Sequence, residues 1–203
     1  MTVIHFEYER APENPIPTIV SDSVSMYRHI LEQGVSSSRL LIMGDSAGGG
    51  LTLLTIQSII ENKLPKPRAA VTLSPWTDLT LSGQSLERNR QVDVMLRIDQ
   101  VFWIIENVIK PNGYANGKSN PKIHSALFGS FEDFPPLYVD FGTSEVLEDD
   151  STRIVEEARK VGVDVTSVPG KYMMHVYPMF FKYYPESSKA LDNIKQWIET
   201  KFS

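Results

Sequence analysis

The hexapeptide Gly-Asp-Ser-Ala-Gly-Gly at residues 44–49 constrains the fold of this chain more than any other stretch. An apolar run at residues 39–43 precedes it and is typical of a buried strand, and a second apolar run at residues 51–56 is typical of a buried helix. Ser46 is therefore predicted to lie on a sharp strand-to-helix turn, the nucleophile elbow marked by the pattern G-x-S-x-G. Small residues let such a strained turn close. The rest of the predicted elbow is Gly44, Asp45, Gly48 and Gly49.

This turn also predicts hydrogen-bond donors beside the serine. The first turn of a helix has free N–H groups and carries the positive end of the helix dipole. We therefore expect the N–H of Ala47 to point to where an oxyanion would form on a substrate attacked by Ser46. The alternative is a glycine-rich turn that only packs a helix against a sheet, and the flanking strand and helix patterns argue against it.

Strand and helix patterns alternate along the chain. The sequence predicts strands at residues 3–10, 39–43, 69–74, 137–141 and 163–168, and helices at residues 19–33, 46–63, 151–161 (with Ser151 as N-cap) and 188–202. This alternation predicts an α/β fold, in which a mostly parallel sheet is flanked by helices and the carboxyl ends of the strands share one edge. Residues 76–136 have mixed polarity and one predicted helix at 99–109, and we interpret them as an insertion over that edge.

The composition argues against several classes of protein. The 203 residues, 41% of them apolar, suffice for one domain with a sizeable core. A net charge of −5 without a basic block argues against nucleic acid or an anionic membrane as a partner. No apolar stretch is long enough to predict a transmembrane segment. Because the sequence has neither cysteine nor a signal-peptide pattern, we expect a cytoplasmic location.

A serine nucleophile needs a base, and His175 is the best placed of the four histidines. It follows the last predicted strand after a short loop, at the sheet edge where Ser46 is expected. The other histidines are predicted to be packed or solvated: His5 in the first predicted strand, His29 on a helix and His124 in the insertion.

The acid of a Ser-His-acid triad should lie between the serine and the histidine in chain order, and four carboxylates follow the predicted strand at residues 137–141. Glu145 is the first of them and is favoured on position. Asp149 and Asp150 could instead cap the helix that follows, and Glu148 could be a solvated surface charge. The choice of acid among Glu145, Asp149 and Asp150 stays open on the sequence alone.

These residues resemble the hormone-sensitive-lipase branch of the α/β-hydrolases, which includes the arylacetamide deacetylase-like esterases. Further matching stretches are Tyr-Glu-Arg-Ala-Pro-Glu-Asn at residues 8–14 with Pro17, Ser-Pro-Trp-Thr-Asp at residues 74–78, Asn120-Pro121 with Ser125, Pro135-Pro136 and residues 142–150. The resemblance implies that residues 1–203 form a single catalytic domain with a lid- or cap-like insertion within residues 76–136. It also implies that Ser46 is the nucleophile, His175 the base and Ala47 an oxyanion donor, with Glu145 where the family usually has aspartate.

The resemblance implies a serine hydrolase of carboxylic esters, with a short-chain acyl ester or a lactone as its small-molecule substrate and an acyl-enzyme intermediate. It implies no metal or cofactor, and it suggests a homodimer. Aromatic and methionine-rich stretches at residues 102–103 and 173–181 could line an apolar pocket or could belong to ordinary core packing.

The chain departs from the family pattern upstream of the elbow. The family carries a His-Gly-Gly-Gly-type loop that supplies oxyanion donors, whereas here no histidine is followed by glycine. The first strands of the family fold also lack counterparts. We therefore interpret the chain as an N-terminally incomplete hydrolase. The alternatives are a catalytically impaired remnant that binds small apolar ligands or a partner protein, and a chain that does not fold stably alone.

Overall fold

Four parallel strands form the central sheet of the computed structural model, which describes residues 2–113 and 120–203. The strands are β1 (Leu41–Asp45), β2 (Ala69–Leu73), β3 (Leu137–Gly142) and β4 (Val165–Gly170), and they lie side by side in the order β1-β2-β3-β4. In the register, Leu41 pairs with Ala69, Ala70 with Leu137, and Leu137 with Val165. All the carboxyl ends therefore lie at one edge, as the α/β prediction requires.

Helices connect the strands and cover the sheet. The longer ones are α1 (Ile16–Glu32), α2 (Ser46–Glu61), α7 (Glu148–Lys160) and α8 (Pro185–Phe202), and the shorter ones are α3 (Ser85–Arg88), α4 (Ile98–Ile104), α5 (Lys110–Gly113) and α6 (Pro121–His124). A π-helical turn (Ile105–Ile109) continues α4, and 3₁₀ turns occur at Ser37–Arg39, Ala126–Phe128 and Tyr177–Phe180. Within the described residues, no helix is long and apolar enough to cross a bilayer.

Two hydrophobic layers hold the sheet. Helices α2 and α7 pack their apolar sides, which include Ile56 and Ile154, against Val139 and Phe141 of β3. On the opposite face, Ile194 of α8 packs against β2 and β3. Every residue of β2 and β3 is buried, which explains why both read as continuous apolar runs in the sequence. Helix α1 packs outside α2 through Val24 and Tyr27, which contact Ile59.

The strand predicted at residues 3–10 is wrong. Residues 2–10 form no regular secondary structure, and no strand of the sheet pairs with them. A strand needs a hydrogen-bonded neighbour, and β-branched and aromatic composition does not replace one. Val3 and Ile4, which suggested the strand, are largely exposed.

Several boundaries also differ from the predicted ones. Strand β1 begins two residues later than predicted, because Ser37–Arg39 form a 3₁₀ turn. Strand β4 also begins two residues later than predicted, at Val165, and ends at Gly170. Helix α7 begins at Glu148, so Ser151 is not its N-cap but a buried residue inside it. The helix predicted at 99–109 is α4 followed by the π-helical turn.

Candidate active site

Ser46 joins strand β1 to helix α2 in a strained turn. Its φ is +51°, a left-handed conformation that is uncommon for a residue with a side chain. A Cβ added to Gly44 would lie 2.3 Å from the carbonyl oxygen of Gly48, and one added to Gly49 would lie 2.8 Å from Cβ of Pro75. These two glycines let the elbow close. Gly48 itself is not crowded, because an added Cβ would meet only the Tyr8 hydroxyl, at 4.0 Å.

Three side chains are linked by hydrogen bonds at the edge of the sheet where the carboxyl ends of the strands lie. Ser46 Oγ lies 2.8 Å from His175 Nε2, and His175 Nδ1 lies 2.5 Å from Glu145 Oε2. The three residues follow β1, β4 and β3, so the parallel sheet brings them together although 129 positions separate Ser46 from His175. Of the candidate acids, Glu145 is therefore the one that contacts the histidine.

The Glu145 carboxylate is completely buried. Its Oε1 accepts a hydrogen bond from the N–H of Gly142 at 3.2 Å, while Oε2 faces His175. Burial raises the pKa of Glu145, because water no longer solvates its charge, and hydrogen bonds from His175 and from the Ser74 hydroxyl oppose that rise. The ionised carboxylate is thus stabilised by donors on three sides.

Ser74 connects the acid to the loop that carries the histidine. It lies in the family-like stretch at residues 74–78, but the sequence alone indicated no role for it in the site. Its side chain is buried, and its hydroxyl accepts a hydrogen bond from the Val176 N–H at 2.9 Å while donating to Glu145. Ser74 and Val176 both have positive φ, +45° and +48°. A signal was available, because Ser74 directly follows β2 at the same sheet edge as Ser46.

Ala47 is the second residue of helix α2 and is exposed. Its N–H therefore belongs to the first turn, where no carbonyl of the same helix can accept it. The carbonyl of Ser46, on the opposite side of that peptide bond, accepts a hydrogen bond from the Trp76 N–H at 2.9 Å. This bond fixes the orientation of the elbow relative to the segment after β2.

The other carboxylates after β3 have different partners. Asp149 accepts hydrogen bonds from the Ser85 N–H and from Arg88, at 2.9 and 2.6 Å. Asp150 is buried and accepts from the N–H groups of Thr77 and Asp78, both at 2.7 Å. The caps suggested for Asp149 and Asp150 are therefore wrong, because their oxygens bind other segments of the chain. Glu148 is not simply solvated either, since it pairs with Arg88.

The structure also describes the other three histidines and the aromatic pair at residues 102–103. His5 and His29 are exposed, and His124 is buried on α6, where its Nδ1 accepts from the Asn120 N–H. Phe102 and Trp103 are 46% and 60% exposed, so core packing is excluded for them.

Comparisons with known proteins agree with this architecture. Residues 1–179 match the alpha/beta hydrolase fold family. The chain is 32% identical over 198 residues to an acetyl-hydrolase of Streptomyces hygroscopicus, covering 98% of this chain and 64% of that protein. It is 31% identical over 197 residues to an esterase of Acinetobacter venetianus, covering 97% of this chain and 64% of that protein. The chain thus spans less than two thirds of the length of both relatives.

Solved structures show the same relationship. An esterase from the bacterial hormone-sensitive lipase family superposes with a TM-score of 0.89 at 32% identity, covering 97% of this chain and 65% of that one. EstE5, in a crystal soaked with p-nitrophenyl butyrate, superposes with a TM-score of 0.88 at 33% identity, covering 97% of this chain and 64% of that one. The chain therefore belongs to the alpha/beta hydrolase family, in its hormone-sensitive-lipase-like branch.

Proposed function

We propose that this chain hydrolyses carboxylic esters through an acyl-enzyme formed on Ser46. The hydrogen-bonded chain from Ser46 through His175 to Glu145 is the observation that carries the proposal. A serine hydroxyl is a weak nucleophile at neutral pH, and it gains reactivity only beside an oriented base. A buried carboxylate next to Nδ1 supplies that orientation here, and the names of the esterase and acetyl-hydrolase relatives point to the same chemistry.

In the proposed reaction, Ser46 Oγ attacks the ester carbonyl carbon while its proton passes to His175 Nε2. Nδ1 keeps its own proton, which forms a hydrogen bond to the Glu145 carboxylate. The negative charge of Glu145 stabilises the imidazolium. His175 then protonates the leaving alcohol as the carbon–oxygen bond breaks. Water attacks the acyl-serine, gives one proton to Nε2 and releases the acid, and that proton returns to Ser46 Oγ.

The oxyanion of each tetrahedral intermediate is proposed to bind the N–H of Ala47. The His-Gly-Gly-Gly-type loop of the family is missing from this sequence. The N–H of Ala47 should matter strongly to the rate, because loss of one oxyanion donor costs about 10²–10³ in turnover. We propose short acyl esters or lactones as substrates, in keeping with the acetyl-hydrolase name of one relative.

Hydrolysis of p-nitrophenyl acetate and butyrate by the purified chain tests this function. The comparison uses Ser46→Ala together with Ser21→Ala, an exposed serine on α1 that lies outside the site. We expect turnover in the wild type and in Ser21→Ala, and none above background in Ser46→Ala.

Equal rates in all three folded proteins would contradict the esterase proposal. That result would favour the second candidate function, a catalytically impaired hydrolase that acts as a binding protein. Binding of a non-hydrolysable ester analogue by the Ser46→Ala variant would then be the next measurement.

A further inference from the structure

The peptide bond between Glu145 and Val146 is held from both sides by side chains of another segment. Asn89 Nδ2 donates a hydrogen bond to the carbonyl oxygen of Glu145 at 2.8 Å. The N–H of Val146 donates to Asp93 Oδ2 at 2.7 Å. Both polar groups of this one peptide unit are therefore bound by side chains four residues apart, in the turn that follows α3. We call Asn89 and Asp93 the acid clamp.

The acid clamp is itself ordered by further hydrogen bonds. The N–H of Asp93 donates to the carbonyl of Asn89 at 2.9 Å, which closes the turn between them. The second oxygen of Asp93 accepts from the N–H groups of Met95 and Leu96, both at 2.8 Å. Asn89 is only 6% exposed, and its amide also donates to Glu148 at 3.0 Å. Neither side chain of the clamp is therefore free to rotate away without losing several bonds.

Other contacts fix the rest of the loop between β3 and α7. The N–H groups of Thr143 and Ser144 donate to the carbonyls of Gly170 and Met173, both at 3.0 Å, which ties the start of the loop to the histidine-bearing segment. At its far end, Val146 and Leu147 pack against Leu86 of α3 and against Ile98 and Val101 of α4. The clamp acts between these two regions, at the residue whose carboxylate contacts His175.

We propose that Asn89 and Asp93 are positioning residues that hold the Glu145 carboxylate where it can form its hydrogen bond with His175. In this way residues 85–101 support the triad. This inference rests on the proposed function. A backbone displacement at Glu145 would pass directly to its carboxylate, and small displacements at a catalytic site can lower turnover by up to about 100-fold. The titratable groups near the Glu145 carboxylate are His175, Asp93 and Asp140.

The first test measures kcat and KM of Asn89→Ala and Asp93→Ala on p-nitrophenyl butyrate. The control is Arg90→Ala, which changes an exposed residue of the same segment that pairs only with Glu87 among the contacts described. We expect kcat to fall about 10- to 100-fold in the two clamp variants, with KM nearly unchanged, because the acid is displaced while the acyl site is intact. Arg90→Ala should match the wild type.

The second test does not depend on catalysis. A proton in a short, charge-assisted hydrogen bond, such as the one between His175 Nδ1 and Glu145, gives an NMR signal far downfield of ordinary amide protons. We expect this signal to shift or broaden in the clamp variants but not in Arg90→Ala, and to vanish in His175→Ala. Thermal unfolding verifies that each variant is folded.

The proposal is overturned if folded clamp variants keep the wild-type kcat and the wild-type downfield signal, even where their melting temperature falls. That outcome would assign Asn89 and Asp93 a role in stability alone. If the wild type shows no Ser46-dependent hydrolysis, the failure belongs to the esterase proposal, and the downfield signal alone then decides the clamp: a change in Asn89→Ala supports it and an unchanged signal refutes it.

Discussion

Three non-glycine residues with positive φ lie within or beside the candidate triad: Ser46, Ser74 and Val176, at +51°, +45° and +48°. Such conformations cost about 1–3 kcal/mol each and persist where the surrounding structure imposes them. Each of the three takes part in a hydrogen bond that defines the site, either to His175 or between the segments after β2 and β4. The strain at these residues is therefore localised where the chain needs a specific side-chain or backbone direction.

Ser46→Gly should be more stable than Ser46→Ala. Both variants lack the hydroxyl, so both should lose hydrolytic activity, but only glycine adopts φ +51° without steric cost. We expect the free energy of unfolding in urea to be about 1 kcal/mol higher for Ser46→Gly. If Ser46→Ala is the more stable of the two, the general preference of helices for alanine exceeds any strain at Ser46, and the expected cost of its positive φ is contradicted.

Ser74→Ala should shift the acid limb of the pH–rate profile to higher pH. The Ser74 hydroxyl lowers the pKa of Glu145 by donating to its ionised form, so removing the hydroxyl raises that pKa further. Glu145 would then become protonated at a higher pH as the solution is acidified, and kcat/KM would begin to fall earlier. Ser74→Gly also lacks the hydroxyl but suits φ +45°, so it should show the same shift with a smaller loss of stability. An unchanged acid limb in both variants would contradict this role.

At the level of the elements, strand β3 carries an ionisable group inside the core. Asp140 is completely buried, and burial raises its pKa from 3.8 to about 7, although the nearby Tyr177 hydroxyl lowers it. Neither carboxylate oxygen has a hydrogen bond of good geometry to the described residues. In the folded protein, the neutral form of the Asp140 carboxyl therefore costs less free energy than the ionised form.

Asp140→Asn should remove part of the pH dependence of stability. Because the folded pKa lies above the unfolded one, the contribution of Asp140 is fully present below about pH 4 and is lost as the pH rises through about 7. The variant cannot ionise, so its free energy of unfolding relative to wild type should increase from pH 5 to pH 8. Each unit by which the pKa of Asp140 in the folded protein exceeds that in the unfolded chain corresponds to about 1.4 kcal/mol in the free energy of unfolding. Denaturant titrations at four pH values measure the difference, and a difference independent of pH would contradict the raised pKa.

The sequence predicted the buried elements better than the exposed ones. Strands β2 and β3 agree with the predicted ranges to within one residue, because both are buried on two faces and bounded by Pro75 and by residues 135–136. Residues 3–10 have a similar composition, but composition does not reveal whether a neighbouring strand pairs with them. Ser46 and His175 follow strands at one edge, and that rule selected them as candidates. The same rule favoured Glu145 as the acid but left Asp149 and Asp150 open, and the contact with His175 distinguishes Glu145 from them.

The supporting residues of the site could not be found in the same way. Asn89 and Asp93 lie in a segment of mixed polarity between α3 and α4, and neither their spacing nor their residue type marks a contact with Glu145 some fifty positions later. Such contacts depend on how the segment after β2 returns over the loop after β3. This path is a property of tertiary packing, and local patterns do not encode it.

On the scale of the whole molecule, the site exists only when the sheet is assembled. Its three side chains come from loops after β1, β3 and β4, and β2 between β1 and β3 carries Ser74 at its end. All four strands therefore contribute a residue to one edge. An unfolded or partly folded chain keeps the Gly-Asp-Ser-Ala-Gly-Gly sequence but separates Ser46 from His175, so we expect the Ser46 hydroxyl to have ordinary reactivity there.

Covalent labelling with a fluorophosphonate, followed by mass spectrometry of the modified peptide, tests the central claim most directly. Only a serine activated by a neighbouring base reacts rapidly with this probe, and the reaction does not require a particular ester substrate. We predict a single adduct on Ser46 in the folded wild-type chain, a much slower reaction in folded His175→Ala, and none after unfolding in urea. A folded wild-type chain that acquires no adduct on Ser46, or that reacts no faster than His175→Ala, would contradict the account.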